Sequence, residues 1–198
     1  MDQGAGQEAG GRMKFTETDI AAYLARHVFL QKCLVVVPNC KWPGSECDLL
    51  VITANLRVID VEIKISRSDL KADREKDKWF EYEKYSGIWP PPRHRIDYPS
   101  RVWKHYYCLP AAIWKPELYA CMNAASGLLL VSEADSDSGV FIWCERRAKP
   151  DTGADKITAA DAIDIARLAS LRMWDAFDAS KQARKSEAAI RERAGLFA

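Results

Sequence analysis

The sequence predicts an α/β fold: an αβββαβ core with a mixed central sheet flanked by helices, plus a long C-terminal helix. Three observations support this prediction. A helical pattern beginning near Thr16 precedes three β-type segments, a second helix start at Ser66 precedes another apolar strand, and the chain ends on a long run of helix-forming residues. Alternation of helices with strands is typical of sheets that contain parallel pairs.

The first helix and the first strand are indicated by capping and by hydrophobicity. Thr16 and Asp19 are spaced to cap each other at a helix N terminus, and the apolar spacing continues to about Leu30. Residues 33–39 are almost continuously apolar, which favours an interior strand that is covered on both faces.

The next two segments alternate between apolar and polar side chains, as paired strands do. A three-residue hairpin loop at 54–56 places Asp48 opposite Glu62. Lys64 then lies on the same face as Glu62, because alternate residues of a strand point the same way. A slip of one residue would mix the apolar and polar faces, which is disfavoured wherever one face is buried.

The rest of the chain completes the αβββαβ order and adds further elements. They are a helix capped by Ser66 or Ser68 and reaching toward Tyr85, a proline-rich segment at 88–101 without regular structure, a strand at 104–112, a short helix opened by Pro116, strands at 127–132 and 140–146, and a long helix that Thr158 and Asp161 cap and that runs to about Leu196.

Length and composition predict one folded domain. A chain of 198 residues with 48% hydrophobic side chains can bury one core, which we place at residues 14–150, between a flexible tail at 1–13 and the C-terminal helix at 151–198. No apolar stretch is long enough to cross a bilayer, so we expect a cytoplasmic protein with no membrane partner. The 29 basic and 28 acidic side chains nearly cancel, so affinity for nucleic acid would come from local patches.

Three of the six cysteines, Cys33, Cys40 and Cys47, recur every seven residues, which raises the question whether they form a metal site. In an extended strand an odd spacing alternates faces, however, and the sequence contains no CxxC pair. We therefore interpret the cysteines as small buried hydrophobic residues in a reducing compartment, and we expect no zinc site.

The most informative residues are the two carboxylates and the lysine of the hairpin. Adjacent carboxylates repel unless a cation lies between them or one stays protonated, so Asp48 and Glu62 indicate a bound cation. Carboxylate oxygens together with a backbone carbonyl suit Mg²⁺ or Mn²⁺. The ammonium of Lys64 beside them can orient or deprotonate an attacking water.

These residues carry a resemblance to a known superfamily. Asp48 on one strand, Glu62-x-Lys64 on the next and a helix opening at Ser66 together resemble the PD-(D/E)XK nucleases. The runs at 62–73, 106–110 and 125–129 further resemble MmcB-like DNA repair proteins and related phage-encoded nucleases. The resemblance covers about residues 16–150. The chain departs from it at Cys47, where the relatives have proline or a small residue, and at 76–79, where they have Lys-Lys-His.

The resemblance implies a restriction-endonuclease-like fold and a metal-dependent DNA nuclease that hydrolyses phosphodiester bonds in DNA repair, recombination or phage DNA processing. Asp48, Glu62 and the carbonyl of Ile63 would hold Mg²⁺ or Mn²⁺, and Lys64 would position or activate water. Glu17 is implied as a further acidic ligand, with Asp19 as its rival. Internal cleavage is favoured over cleavage from an end. The alternative is a catalytically silent module on the same fold that binds DNA or a partner.

Two groups of residues are candidates for binding DNA. Ser66, Arg67, Lys71 and Arg74 belong to the first group, at the second helix. The three cations of this group, with Lys78 at helical spacing, would form a basic stripe, although a solvated helix face explains them nearly as well. Arg93, Arg95 and Arg101 lie among aromatic residues in the proline-rich segment. This composition suits phosphate contact with base stacking, while packing of the aromatic rings on the core is an equal alternative.

The C-terminal helix combines an apolar stripe, which ends near Phe177, with a highly charged continuation at 181–193. The apolar stripe predicts docking on the domain. A solvated tail is the default interpretation of the charged part, and a homodimer or a DNA contact through this part is the alternative.

Overall fold

The computed structural model describes residues 15–83, 87–134 and 139–195, so the expected tail at 1–13 lies outside the described residues. The strands are β1 (Cys33–Cys40), β2 (Cys47–Thr53), β3 (Val58–Ile63), β4 (Phe80–Tyr82), β5 (Arg93–Arg95), β6 (Lys104–Pro110), β7 (Gly127–Glu133) and β8 (Val140–Arg146). The α-helices are α1 (Glu17–Tyr23), α2 (Arg67–Asp73) and α3 (Ala159–Gly195).

The central sheet has six strands in the order β1-β2-β3-β6-β7-β8 within the described residues. β1, β2 and β3 form an antiparallel meander, β6 and β7 add parallel to β3, and β8 closes the far edge antiparallel to β7. Strands β4 and β5 pair with each other outside this sheet. The mixed α/β fold, the αβββαβ order and the long C-terminal helix are therefore confirmed.

One face of the sheet packs against α1. Thr16 and Asp19 form the predicted capping box, with Thr16 Oγ1 accepting from the Asp19 backbone N–H at 3.1 Å. The helix continues as a π-helical turn, Leu24–Phe29. Ile20 and Leu24 pack in one buried cluster with odd-numbered residues of β2 and β3, such as Val61. The even-numbered residues of β3 consequently face the opposite side of the sheet.

The opposite face is covered by two different parts of the chain. Near β1 and β2, Ile165 of α3 joins Leu50 and Ile52 in a second buried cluster, which also contains Cys47, so this first residue of β2 departs from the predicted alternation. Under β6 and β7, Leu70 of α2 packs in a third cluster. After Ala169 every described side chain of α3 is exposed, so the predicted docking stripe docks only in its first part.

The structure corrects three predictions from the sequence. β1 is an edge strand rather than an interior one; it is apolar because helices cover both of its faces. α2 ends at Asp73 instead of reaching toward Tyr85, because the chain passes through a 3₁₀ turn, Asp77–Trp79, into β4. The proline-rich segment contains a strand, β5, which pairs with β4 through residues that lie beyond its three consecutive prolines.

None of the described helices combines the length and apolar character that crossing a lipid bilayer requires.

Candidate active site

The predicted register of the β2–β3 hairpin is confirmed. Leu50 pairs with Asp60 and Leu49 with Val61, which brings Asp48 beside the end of β3. Asp48 Oδ2 accepts a hydrogen bond from the backbone N–H of Ile63 at 2.7 Å. The hairpin geometry therefore fixes the Asp48 carboxylate at the point where the two strands separate.

Lys64 lies on the same face as Glu62, as predicted. Its Nζ is 2.5 Å from Glu62 Oε2 and 3.1 Å from Asp48 Oδ2. The cation between the two carboxylates is thus the protein's own ammonium. The inference that this acid pair needs a metal ion to relieve repulsion is therefore not required by the structure.

Glu62 is fully buried, and among the described residues three lysines surround its carboxylate. Lys78 Nζ is 2.7 Å from Oε1, and Lys76 Nζ is 3.3 Å from the Oε2 atom that Lys64 also contacts. Burial alone would raise the pKa of Glu62, but Lys78 and Lys64 lower it below its ordinary value. Glu62 is therefore an anion held inside a cage of positive charge.

Asp73, the last residue of α2, is a second fully buried carboxylate. Its Oδ2 accepts hydrogen bonds from Tyr107 OH at 2.7 Å and from Trp79 Nε1 at 3.2 Å. Its Oδ1 is 2.9 Å from Lys76 Nζ and 3.8 Å from Lys64 Nζ. Asp73 thus connects α2 to the lysines that contact Glu62.

Asp60 and His105 form the inner end of this cluster. Asp60 Oδ2 lies 3.5 Å from Lys78 Nζ, and burial raises the pKa of Asp60 to about 6. His105 Nδ1 is 2.8 Å from Ser126 Oγ, and burial holds the pKa of His105 well below its ordinary value. The histidine is therefore neutral and has the structural hydrogen-bonding role that is usual for a lone buried histidine.

Sequence reasoning missed Asp73 and Lys76 as members of the site, and it placed Lys78 wrongly. Lys78 was placed on the exposed stripe of a long helix, but its side chain is 2% exposed and pairs with Glu62 and Asp60. One signal was available: Asp73 lies three residues after Leu70, on the helix face that an apolar residue marks as buried. The turn that brings Lys76 and Lys78 back to the sheet had no comparable signal.

In the part of the chain that the structure describes, Glu17 does not lie with Asp48 and Glu62. Glu17 is exposed at the start of α1, whose buried side packs on the opposite face of the sheet from Glu62 and Lys64. Asp19 is on the same helix, and its carboxylate accepts hydrogen bonds from Thr16. The Asp19 carboxylate is therefore used for capping.

The remaining basic candidates divide into two places. At α2, Ser66 Oγ caps the helix through the Asp69 N–H at 3.1 Å, Lys71 is exposed, and Arg67 and Arg74 donate to the carbonyls of Ile113 and Ala120. Arg93 and Arg95 of β5 lie over the ring of Phe80, with guanidinium-to-centroid distances of 3.9 and 5.7 Å. Both arginines also contact residues that directly follow α2. Arg93 pairs with Glu75, and Arg95 donates a hydrogen bond to the carbonyl of Arg74.

Arg101 lies in a different environment from the other arginines of this segment. Its guanidinium stacks on Trp42 at 3.7 Å from the ring centroid and pairs with Asp161 at 2.6 Å. Asp161 belongs to the capping box that begins α3. Arg101 therefore ties α3 to the domain, and its predicted role in binding DNA is not supported by this placement.

Mg²⁺ and Mn²⁺ are hard cations that prefer oxygen donors. The backbone N–H of Lys64 donates a hydrogen bond to the Cys108 carbonyl on β6. Because adjacent strand residues direct their backbone groups to opposite sides, the N–H and carbonyl of Ile63 face Asp48 instead. Two carboxylates and this carbonyl are hard oxygen donors of the preferred kind. No cluster of three or more His, Cys, Asp or Glu side chains with metal-binding geometry occurs in the described part of the chain. The donors fit the ion chemically, provided that the Lys64 ammonium withdraws from between them.

Comparisons with known proteins add little to this geometry. No protein-family model matches the chain, and no curated protein matches it. Among solved structures, the chain is similar to the SPO1766 protein of unknown function from Silicibacter pomeroyi, at 18% identity and a TM-score of 0.46, over 82% of this chain and 86% of that chain. The chemistry of the site therefore has to be inferred from its own residues.

Proposed function

We propose that the protein is a Mg²⁺- or Mn²⁺-dependent DNA nuclease, and that it acts in DNA repair, recombination or phage DNA processing. The observation that carries the proposal is the convergence of Asp48 and Glu62 on Lys64 at the separating ends of β2 and β3. Asp48 is the accessible member of the acid pair, with a side chain that is 24% exposed. The six cysteines are unpaired, which supports a reducing compartment such as the cytoplasm.

Asp48, Glu62 and the Ile63 carbonyl would hold the ion. When bound, Mg²⁺ or Mn²⁺ supplies Lewis acidity toward a phosphodiester oxygen and lowers the pKa of a bound water. Asp48 binds from the solvent side, and Glu62 is kept ionised by Lys78. Lys78 and Lys64 thus keep Glu62 anionic, whereas burial and the neighbouring Glu62 raise the pKa of Asp48 above its ordinary value.

Lys64 acts by position and charge rather than as a base. Burial would lower the pKa of Lys64, but Glu62 and Asp48 raise it above its ordinary value, so the side chain remains an ammonium. An ammonium donates hydrogen bonds and has no lone pair with which to accept a proton. It can orient water and offset charge on the phosphate; the alternative role as a proton acceptor is disfavoured.

A second function is favoured by a specific observation. Glu62 is buried and compensated by lysines, so the acid pair is tolerated without a metal ion. The same cluster is therefore compatible with a catalytically silent module that binds DNA or a protein partner. Such a module would bind without cleaving, and its affinity would not depend on divalent ions.

The deciding experiment incubates the purified protein with labelled single-stranded, duplex and forked DNA, in Mg²⁺, Mn²⁺ or a chelator. We expect cleavage with either ion and none with the chelator. A closed circular substrate tests for the internal cleavage that we favour, because a circle offers no end. The matched control is Asp48→Asn, which removes a ligand at the accessible side of the site. Metal-independent binding without cleavage of any substrate would support the silent module instead.

A further inference from the structure

The three lysines around Glu62 differ sharply in exposure. The side chains of Lys64 and Lys78 are 3% and 2% exposed, whereas that of Lys76 is 46% exposed. Lys76 follows α2, in the segment between that helix and the 3₁₀ turn. It is therefore the member of the cage that meets solvent.

Lys76 can leave its partners without stranding a buried charge. Glu62 keeps Lys64 at 2.5 Å and Lys78 at 2.7 Å when Lys76 departs. Asp73 keeps the hydrogen bonds from Tyr107 and Trp79 on its Oδ2 atom. The cost of withdrawing the exposed ammonium is thus smaller than the cost of withdrawing either buried one.

The surroundings of Lys76 suit an anion. Arg93 and Arg95 of β5 are tied to the end of α2, at Glu75 and at the carbonyl of Arg74. Arg93 and Arg95 are exposed, so the hairpin of β4 and β5 places two further cations beside the segment that carries Lys76. A strand of phosphodiesters entering the site from this side would meet several positive charges in succession.

We propose that Lys76 is a phosphate-binding residue, whose ammonium exchanges the carboxylates of Glu62 and Asp73 for a backbone phosphate of the DNA. The inference rests on the proposed function for the identity of the ligand. It assigns Lys76 to substrate contact, Lys64 to the reacting centre, and Lys78 to the support of Glu62.

Binding without cleavage provides the test. The affinity of the full chain for labelled single-stranded and duplex DNA is measured in chelator over a range of salt concentrations. Lys76→Gln should weaken binding about tenfold, as expected when one charge-assisted hydrogen bond is lost. The dependence of log affinity on log salt should flatten by about 0.7 to 0.9 units, as expected for one lost phosphate contact. Lys76→Arg should restore most of both values, because it keeps the charge.

Lys32→Gln is the matched control. Lys32 is also an exposed lysine, but it follows the π-helical turn on the α1 side of the sheet, so neither binding value should change. Thermal unfolding of each variant checks that it is folded. If Lys76→Gln is folded and binds with wild-type affinity and salt dependence, the proposal is wrong.

A second measurement uses the wild-type protein and is independent of any folding defect. Reductive methylation mapped by mass spectrometry should modify Lys76 and Lys32 in free protein, and DNA should protect Lys76 alone of these two. Equal modification of Lys76 with and without DNA would overturn the proposal. If the wild type cleaves no DNA but DNA still protects Lys76, the nuclease proposal is overturned and the phosphate contact stands.

Discussion

Glu62 illustrates how one residue depends on its neighbours for its charge. Its carboxylate is fully buried, yet it remains ionised because Lys64 and Lys78 lie within 2.7 Å. Repulsion between Glu62 and Asp48 would have made a neutral replacement stabilising, but the observed cage reverses that expectation. Without the carboxylate, the buried lysines Lys64 and Lys78 each lose their nearest anion and keep only partners at 3.1 Å or more.

Glu62→Gln should therefore destabilise the protein, by about 3 to 5 kcal/mol of unfolding free energy, the usual cost of removing one partner of a buried ion pair. Urea denaturation followed by tryptophan fluorescence measures this value, since Trp79 is buried next to the cluster. Asp48→Asn is the comparison, because Asp48 is partly exposed and contacts Lys64 alone among the three cage lysines. A stability of Glu62→Gln equal to or above that of Asp48→Asn would contradict the cage.

Lys64→Ala should strengthen binding of Mn²⁺ while abolishing cleavage. The substitution removes the ammonium that lies between Asp48 and Glu62, so the two carboxylates become free to share a metal ion. A ligand that binds the native state raises the melting temperature. The rise on adding Mn²⁺ should thus be larger for Lys64→Ala than for the wild type, and absent from the double variant with Asp48→Asn. Identical rises in wild type and Lys64→Ala would refute the competition between ammonium and metal.

The arginines of the proline-rich segment have two different roles. Arg93 and Arg95 belong to the pair of strands β4 and β5, whereas Arg101 contacts the start of α3. Arg93→Ala and Arg95→Ala should each flatten the salt dependence of DNA affinity by about 0.7 to 0.9 units with little change in melting temperature. Arg101→Ala should instead lower the melting temperature and leave the salt dependence unchanged, because Arg101 is paired with Asp161 and stacked on Trp42. The opposite pattern would place the DNA path along α3.

The capping box of α3 predicts a pH-dependent contribution to stability. Hydrogen bonds from Thr158, together with Arg101, lower the pKa of Asp161 to about 2. A depressed acid pKa stabilises the folded state above the unfolded-state pKa near 4, and this stabilisation is lost as the pH falls toward 2. Asp161→Asn should consequently melt at a lower temperature than the wild type at pH 6, with the difference shrinking between about pH 4 and pH 2. A difference that stays constant over this range would exclude the carboxylate as its source.

The elements show which features a sequence can predict. The register of β2 and β3 was predictable because a slip of one residue would mix the apolar face of one strand with the polar face of the other, whereas the observed register places Leu49 opposite Val61. The end of α2 was not, because Lys76 and Lys78 are strong helix formers whose position is decided by the buried carboxylates of Glu62 and Asp73. The charge cage of the candidate site follows from that turn, so the sequence indicated Asp48, Glu62 and Lys64 but not their shared support.

At the scale of the whole molecule, the exposed part of α3 presents an apolar patch with no described partner. Leu171, Trp174 and Phe177 are all about half exposed or more. Up to Asp178 the helix carries four aspartates and two arginines, whereas from Lys181 to Arg191 it carries four cations and one glutamate, Glu187. Two copies packed antiparallel would place each acidic half against a basic half and cover both patches.

We therefore expect a homodimer through α3. Sedimentation equilibrium would measure its mass. Trp174→Glu combined with Phe177→Glu should give a monomer, because it buries charge in the contact. Leu30→Glu is the control, since Leu30 is similarly exposed but lies at the end of the π-helical turn. A wild-type protein that sediments as a monomer at high micromolar concentration would count against this interface.

The projecting helix also sets the dimensions of the protein. From Ala169 to Gly195 the backbone advances about 40 Å at 1.5 Å per residue. A compact chain of 198 residues has a radius of gyration of about 16 Å, so this rod extends by more than the radius of the body that bears it. Drag and excluded volume of a single chain are consequently those of an elongated particle.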